Sequence, residues 1–494
     1  MAHTVISEGR WRAARRGVLI VLLVAVPVVF DTGVRPVFAL PKLTVATLGA
    51  VVLLVLGAGE RALRRPGRLR TNPLAVPVVL LVVWAAVSAV ASPDPVTSLV
   101  GHRESLNGVL TTTVLAVLFF AAADGFDVSG VRMALSVLWF GGACVVLAYG
   151  ALQLADRVTS GFHLDPIEWM NTPDGAIWST LGNPNDLGGF LALVLPVGLV
   201  LLVLARRPAT RALTAVMVLL LVVELGATMS RGAMLGAGAG VTLFAAWCGS
   251  EVWTRHRVVA VGAVALLTAG LAVAGLIVTG GHTEKGFADV LRTGEGTTIS
   301  LRVEVWRTAL RMAEEDPVFG VGPDLFGRSF DAFRSQRFVR DYGPDLLATD
   351  AHNLLLTTLA TRGIPGLILL LVLLGSTARL FARTRQRLRR RPGMWDSSGT
   401  RESHIVVAAL GAATLAYVVQ ALFNRGDLTL DFCFWVLLGL ACAVARAAGA
   451  EDGSMTGGPS ASVGAQQSGE GDDGGQTADD EGDPGDRAPF VPVV

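Results

Sequence analysis

The chain has 494 residues, 52% of them apolar and 16% charged, and its formal net charge is +1. This composition excludes an ordinary soluble enzyme and is typical of a membrane protein. A net charge so close to zero gives no overall attraction to nucleic acid, so we expect no nucleic-acid partner.

Apolar runs that approach the roughly 20 residues needed to cross a bilayer recur along the chain. The predicted spans cover residues 17–30, 43–59, 74–91, 109–123, 133–155, 187–205, 212–227, 233–248, 258–279, 364–380, 405–423 and 430–444. We therefore predict an all-α fold, a polytopic membrane bundle of about 12 transmembrane helices. Residues 1–449 would form this membrane domain, and residues 280–351 within it a large extracytoplasmic loop containing short helices.

Arginine clusters predict the orientation of the spans, because basic residues in short loops stay on the cytoplasmic side. The clusters fall in alternate connections, at residues 10–16, 61–70, 206–211, 255–257 and 379–401. Both termini are therefore expected in the cytoplasm, and the other loops face outward. Residues 450–494, rich in Gly, Ser and Asp, predict a disordered acidic cytoplasmic tail.

A helix is predicted at residues 300–315 of the large loop. Its apolar face would be formed by Leu301, Val305, Thr308 and Met312. Ser300 is the expected N-cap, while Arg302 and Trp306, four residues apart, share the other face. Either the helix lies on the bilayer surface with Arg302 in solvent, or Arg302 binds a ligand. The periodicity leaves both interpretations open.

His352 follows Thr349 and Asp350, either of which suits the cap of a helix beginning near Ala351. In the first turn of that helix the positive end of the dipole favours a neutral imidazole. A neutral imidazole accepts a proton from an attacking hydroxyl. The Gly-Ile-Pro-Gly sequence at residues 363–366 is expected to bend this helix. The alternative is a histidine merely exposed at the membrane surface.

Arg231 lies between Ser230 and Gly232 in a very short outward link between two apolar helices. An arginine at the end of a span is costly without an anionic partner or a path to the interface, and its planar fork suits phosphate. The alternative is an ordinary snorkelling arginine. The sequence has no Walker-type phosphate loop, so nothing supports ATP-driven transport.

Several short motifs occur in a fixed order along residues 182–380. They are Gly182-Asn183-Pro184-Asn185, Ser230-Arg231-Gly232-Ala233, Arg302-x-x-x-Trp306, Pro317-x-x-Gly320-x-Gly322 with Phe326, His352-Asn353 and Gly363-x-x-Gly366. This order resembles the O-antigen ligase and polymerase-related superfamily of polytopic membrane glycosyltransferases. Members of that family often carry an acidic residue just before the last motif, whereas Thr361 and Arg362 stand here.

The resemblance implies transfer of a glycan from an isoprenoid diphosphate carrier to an acceptor hydroxyl at the outer face of the inner membrane, without cofactor or metal. Matched motif by motif, Arg231 and Arg302 would bind the diphosphate, and His352 would be the catalytic base that deprotonates the acceptor. The secondary candidates are Arg103, Trp306 and Asn353.

We therefore predict a metal-independent, inverting glycan ligase or polymerase in the cytoplasmic membrane of a bacterium, with its site facing outward. Its partners would be an undecaprenyl-type diphosphate-linked donor, a glycan, lipid or protein acceptor, and membrane lipids. The alternative function is a polysaccharide exporter or flippase without glycosyl transfer. Most spans lack the midplane charges expected of a transporter, although Glu224 is an exception.

Overall fold

The structure, a computed structural model, describes residues 2–63, 72–159, 176–248, 298–389, 398–424 and 427–456. Every regular element in these ranges is a helix, which confirms the predicted all-α class. The predicted span at residues 258–279 and most of the predicted tail, from residue 457 onward, lie outside the described residues.

The described part of the first 248 residues contains ten α-helices. They are α1 (Ala2–Val28), α2 (Ala39–Leu63), α3 (Ala75–Ala91), α4 (Pro95–Val100), α5 (Val109–Gly125), α6 (Val128–Val137), α7 (Cys144–Thr159), α8 (Pro184–Leu204), α9 (Pro208–Ala227) and α10 (residues 231–248). A π-helical segment, Leu138–Ala143, joins α6 to α7. The predicted first span at residues 17–30 lies largely in α1, which extends the short apolar run toward the N terminus.

Six further α-helices follow in the described residues. They are α11 (Thr298–Glu315), α12 (Phe326–Phe333), α13 (Gln336–Tyr342), α14 (Leu354–Arg389), α15 (Ser398–Ala421) and α16 (Leu428–Thr456). Helix α11 confirms the helix predicted at residues 300–315. The predicted cap at Ser300 is wrong, because α11 already begins at Thr298. The Ser300 hydroxyl instead contacts the Tyr342 hydroxyl, at 2.9 Å.

Seven helical stretches in the described residues are long and apolar enough to cross a membrane. They are Ala39–Ala62, Val128–Asp156, Pro184–Leu204, Pro208–Ala227, Leu354–Arg389, Arg401–Ala421 and Leu428–Gly449. Helices α3 and α5 are apolar but shorter. Each of these coincides with a predicted span, so a multi-pass helical architecture holds, while the predicted count of about 12 is not confirmed.

Helices α8, α15 and α16 form the centre of the bundle. Between 83% and 89% of their apolar windows is buried, compared with 28–44% for the other four candidate spans. A helix that is apolar on all sides is stable only when other helices or lipid surround it. The less buried helices, such as α2 and α14, therefore present their exposed Val and Leu side chains as the outer surface of the bundle.

Helices α11, α12 and α13 build a second, smaller hydrophobic cluster. Its buried members include Val305, Met312, Phe326, Phe330 and Phe338. The Phe330 and Phe338 rings meet edge to face, with centroids 5.1 Å apart. The predicted apolar face of α11 is the face that packs here, and the cluster also holds two residues next to or within α14, Ala351 and Ala360. This packing fixes α11 against the beginning of α14.

Helix α14 bends at Gly363, as the sequence predicted. Gly363 has φ +67° and ψ −173°, a conformation open essentially only to glycine. The bend leaves backbone N–H and C=O groups of α14 without partners in the helix, and residues 317–322 form hydrogen bonds with them. Pro317 accepts a hydrogen bond from the Ile364 N–H (2.8 Å), while Val321 and Gly322 donate to the carbonyls of Ala360 (2.9 Å) and Thr361 (3.1 Å). The two glycine-rich motifs of the sequence are therefore bonded to each other.

Candidate active site

The turn that follows α15, residues 422–424, is the meeting point of three segments that are far apart in sequence. The Asn424 side chain is buried, with 3% of its surface exposed. Its Oδ1 accepts a hydrogen bond from Arg302 Nη2 at 3.1 Å, and its Nδ2 donates to Ser230 Oγ at 3.3 Å. Asn353 Nδ2 donates to the Leu422 carbonyl at 3.0 Å. The segments carrying Arg231, Arg302 and His352 thus meet at one turn.

Arg231 is the first residue of α10, and its side chain is exposed. Met229, two residues earlier, has φ +55°, so the chain reverses sharply before the helix begins. Gly232 allows α10 to approach the turn closely, because a Cβ there would lie 2.7 Å from Phe423 Cβ and 2.9 Å from Asn424 Nδ2. Arg231 is therefore held at the rim of the site by its own helix terminus.

Arg302 extends from α11 toward this turn and is partly buried. Burial and the positive charge of Arg231 lower the pKa of Arg302, while the Asp350 carboxylate acts in the opposite direction. An arginine remains protonated even so, because its guanidinium is far too basic to lose its proton at neutral pH. The arrangement therefore concentrates positive charge beside the turn.

His352 precedes α14 instead of lying in its first turn, so the predicted helix start near Ala351 is wrong. His352 has φ +48°, and Asn353 is the N-cap: its Oδ1 accepts hydrogen bonds from the N–H groups of Leu355 and Leu356, both at 3.0 Å. Asparagine is among the best N-cap residues, and its cap sets the helix start at Leu354.

Asp350 orients His352. Its Oδ1 accepts a hydrogen bond from the His352 N–H at 2.6 Å and lies 3.4 Å from the imidazole Nδ1. The Asp350 side chain is 5% exposed and that of His352 is 46% exposed. A buried carboxylate facing one ring nitrogen favours a proton on that nitrogen, which leaves Nε2 as the proton acceptor. This is the arrangement that a general base requires.

Trp306 secures the segment that precedes His352. Its Nε1 donates a hydrogen bond to the Ala351 carbonyl at 2.9 Å. Arg302 and Trp306 share a face of α11, as predicted, and both bond to protein groups. The interpretation in which Arg302 lies in solvent is therefore wrong.

Arg103 is not among the residues that meet at the 422–424 turn. Its side chain is exposed in the loop between α4 and α5. Asp324 anchors that loop by accepting hydrogen bonds from the N–H groups of His102 (2.7 Å) and Asn107 (2.8 Å). No contact joins Arg103 to Arg231, Arg302 or His352 in the part of the chain that the structure describes.

Sequence reasoning missed two residues of the site, Asn424 and Asp350. Asn424 lies in a short polar turn between two apolar spans, and that isolation was a usable signal. Asp350 suits a helix cap in the sequence, but an acid two residues before a candidate base is also a reasonable orienting group.

Comparison with known families agrees with the motif order. Residues 216–371, about a third of the chain, match the family model described as O-antigen ligase. This stretch contains Arg231, Arg302 and His352 and excludes Arg103. No curated protein matches the chain. The matched domain supports membership of an O-antigen ligase and polymerase-related family, as the resemblance of the motifs predicted.

Proposed function

We propose that this protein transfers a saccharide from an isoprenoid diphosphate carrier to an acceptor hydroxyl at the outer face of the cytoplasmic membrane, as a glycan ligase or polymerase. One observation carries the proposal: the turn at residues 422–424 joins the segments of Arg231, Arg302 and His352, which come from three different helices or their termini. The alternate arginine clusters of the loops support the outward orientation.

The donor diphosphate binds at Arg231 and Arg302. Two guanidinium groups present planar forks that match phosphate oxygens. Two helix N-termini, those of α10 and α14, begin next to the same turn, and their partial positive charge adds to the attraction for an anion. Because the diphosphate gains negative charge as it leaves, these groups stabilise the transition state more than the bound donor.

His352 is the general base. The acceptor oxygen forms a bond with the anomeric carbon while the bond from that carbon to the phosphate oxygen breaks, and the carrier diphosphate departs with the electron pair. Nε2 of His352 takes the acceptor proton, and Asp350 stabilises the resulting imidazolium. A single in-line displacement of this kind inverts the configuration of the sugar.

The test uses the full chain in phospholipid nanodiscs with an isoprenoid diphosphate-linked oligosaccharide extracted from the source cells. His352→Ala should lower the transfer rate by about 10²- to 10⁴-fold and leave donor binding unchanged, because only the base is lost. His102→Ala is the matched control, since it removes an exposed histidine from another loop. Full activity in His352→Ala would exclude the proposed base.

Deletion of the gene separates the two reactions. A ligase leaves long unattached chains on the lipid carrier, whereas a polymerase leaves single repeat units. Analysis of lipid-linked intermediates by mass spectrometry distinguishes the two outcomes, and an unchanged envelope glycan would contradict both.

A further inference from the structure

A cavity of about 180 Å³ lies beside the proposed base, between α5, α14, α15 and α16. Asn107, Asp324, Thr349 and Asp350 line one end of it. Asp350 is also the carboxylate that faces His352, at 3.4 Å. The cavity therefore adjoins the candidate active site at this end.

The polarity of the cavity changes along its helices. On α14 the lining begins with Leu354, continues with Thr357, Thr358, Thr361 and Arg362, and ends with Leu370, Leu373 and Leu374. On α16 it passes from Asp431 to Phe434 and Trp435. The end nearest the proposed base thus carries most of the polar side chains, beside Phe326 and Leu354, and the far end is apolar and aromatic.

Arg362 and Asp431 stand in the polar half of the cavity. Arg362 Nη2 donates a hydrogen bond to Thr112 Oγ1 at 3.2 Å, and the Asp324 and Asp431 carboxylates attract its charge. Tyr417 donates a hydrogen bond to Asp431 Oδ1 at 2.5 Å. The cavity lining holds three carboxylates, Asp324, Asp350 and Asp431, and one guanidinium, Arg362, so its net negative charge disfavours an anionic ligand. Several acceptors with a few donors suit a polyhydroxyl ligand, and the aromatic floor suits the C–H face of a sugar ring.

The cavity is separate from the groups proposed to hold the diphosphate, because neither Arg231 nor Arg302 nor Asn424 lines it. Its volume is well below the roughly 300–1,000 Å³ of pockets for drug-sized ligands, so it suits one sugar residue rather than a chain. In an in-line displacement the acceptor and the leaving group lie on opposite sides of the anomeric carbon, and the base lies beside the acceptor. The cavity meets the second requirement only as far as its lining reaches Asp350, the carboxylate that faces His352.

We propose that this cavity is the acceptor subsite, that it binds the terminal sugar of a glycan acceptor, and that Arg362 and Asp431 determine which sugar is accepted. The proposal rests on the proposed function and narrows its acceptor from a glycan, lipid or protein to a saccharide. Asp431 accepts hydrogen bonds from sugar hydroxyls, and Arg362 donates to sugar oxygens.

The test measures sugar binding without catalysis. Saturation-transfer difference NMR is recorded on the full chain in phosphatidylcholine nanodiscs with a panel of methyl hexosides and methyl N-acetylhexosaminides. We expect at least one member to receive saturation above the level of empty nanodiscs. Arg362→Leu and Asp431→Asn should each weaken its binding about tenfold, the effect of losing one charge-assisted hydrogen bond. Asp431→Asn keeps the size of the side chain and covers the case in which Arg362→Leu fails to fold.

Arg379→Leu is the matched control, because it removes an exposed arginine from the same helix outside the cavity. It should bind the sugar as the unmodified chain does. Signal from no member of the panel, undiminished signal in both cavity variants, or equal saturation of cyclohexanol would overturn the proposal. His352→Ala separates this proposal from the proposed function. If that variant still binds the sugar and still transfers at the full rate, His352 is not the base, but the acceptor subsite is unaffected.

Discussion

Replacing Asn424 by aspartate tests the diphosphate assignment, because it changes charge while almost preserving shape. Asn424 Oδ1 lies 3.1 Å from Arg302 Nη2. A phosphate oxygen on another N–H of the same guanidinium would lie about 6 Å from the new carboxylate. Two like charges at about 6 Å repel by about 3 kcal/mol at an effective dielectric constant of about 20. Partial exposure of the diphosphate reduces this to about 2 kcal/mol, so the donor Kd should rise about 30-fold.

The stability of the protein without donor should not fall in this variant. The new carboxylate would pair with the Arg302 guanidinium that Asn424 now contacts, so the thermal stability of Asn424→Asp should be unchanged or higher. Donor affinity is measured by isothermal titration in nanodiscs with the isoprenoid diphosphate-linked oligosaccharide, and stability by thermal unfolding. Asn72→Asp is the control: Asn72 Oδ1 accepts a hydrogen bond from the Leu74 N–H just before the first residue of α3. An unchanged donor Kd in a folded Asn424→Asp protein would refute the assignment.

Three further predictions concern the elements that hold the site. Trp306→Phe removes the hydrogen bond to the Ala351 carbonyl, so transfer should slow while stability falls by only about 1 kcal/mol; an unchanged transfer rate would contradict this role. Gly363→Ala should destabilise the fold by about 3 kcal/mol or more, because its Cβ would lie 2.1 Å from a carbonyl oxygen. Gly375→Ala is the control in the same helix: its Cβ meets nothing within 4 Å, so its stability should be unchanged or slightly higher. Phe330→Ala should cost about 3–5 kcal/mol in thermal unfolding and abolish donor binding, since it empties the cluster that fixes α11; retained donor binding would contradict that dependence.

Local features of the site were predictable from sequence because their causes lie within a few residues. The apolar periodicity of residues 300–315 placed α11 and its packed face correctly. The glycine and proline at residues 363–366 predicted the bend in α14, since both disrupt helical hydrogen bonding. The predicted start of α14 was wrong by three residues, because Thr349 and Asp350 also suit an N-cap. Only the folded chain shows that the Asn353 side chain is the one that reaches the free N–H groups.

The sequence by itself determined the helical class, the membrane-spanning character, the family resemblance and the chemical types present at the site, because each is encoded in composition or in short motifs. Only the tertiary structure decided which residues meet. The bond from Arg302 to Asn424 spans 122 positions and that from Asn353 to Leu422 spans 69. The cavity beside Asp350 likewise depends on how four helices pack. Such contacts follow from the simultaneous burial of many apolar faces, which no short stretch of sequence specifies.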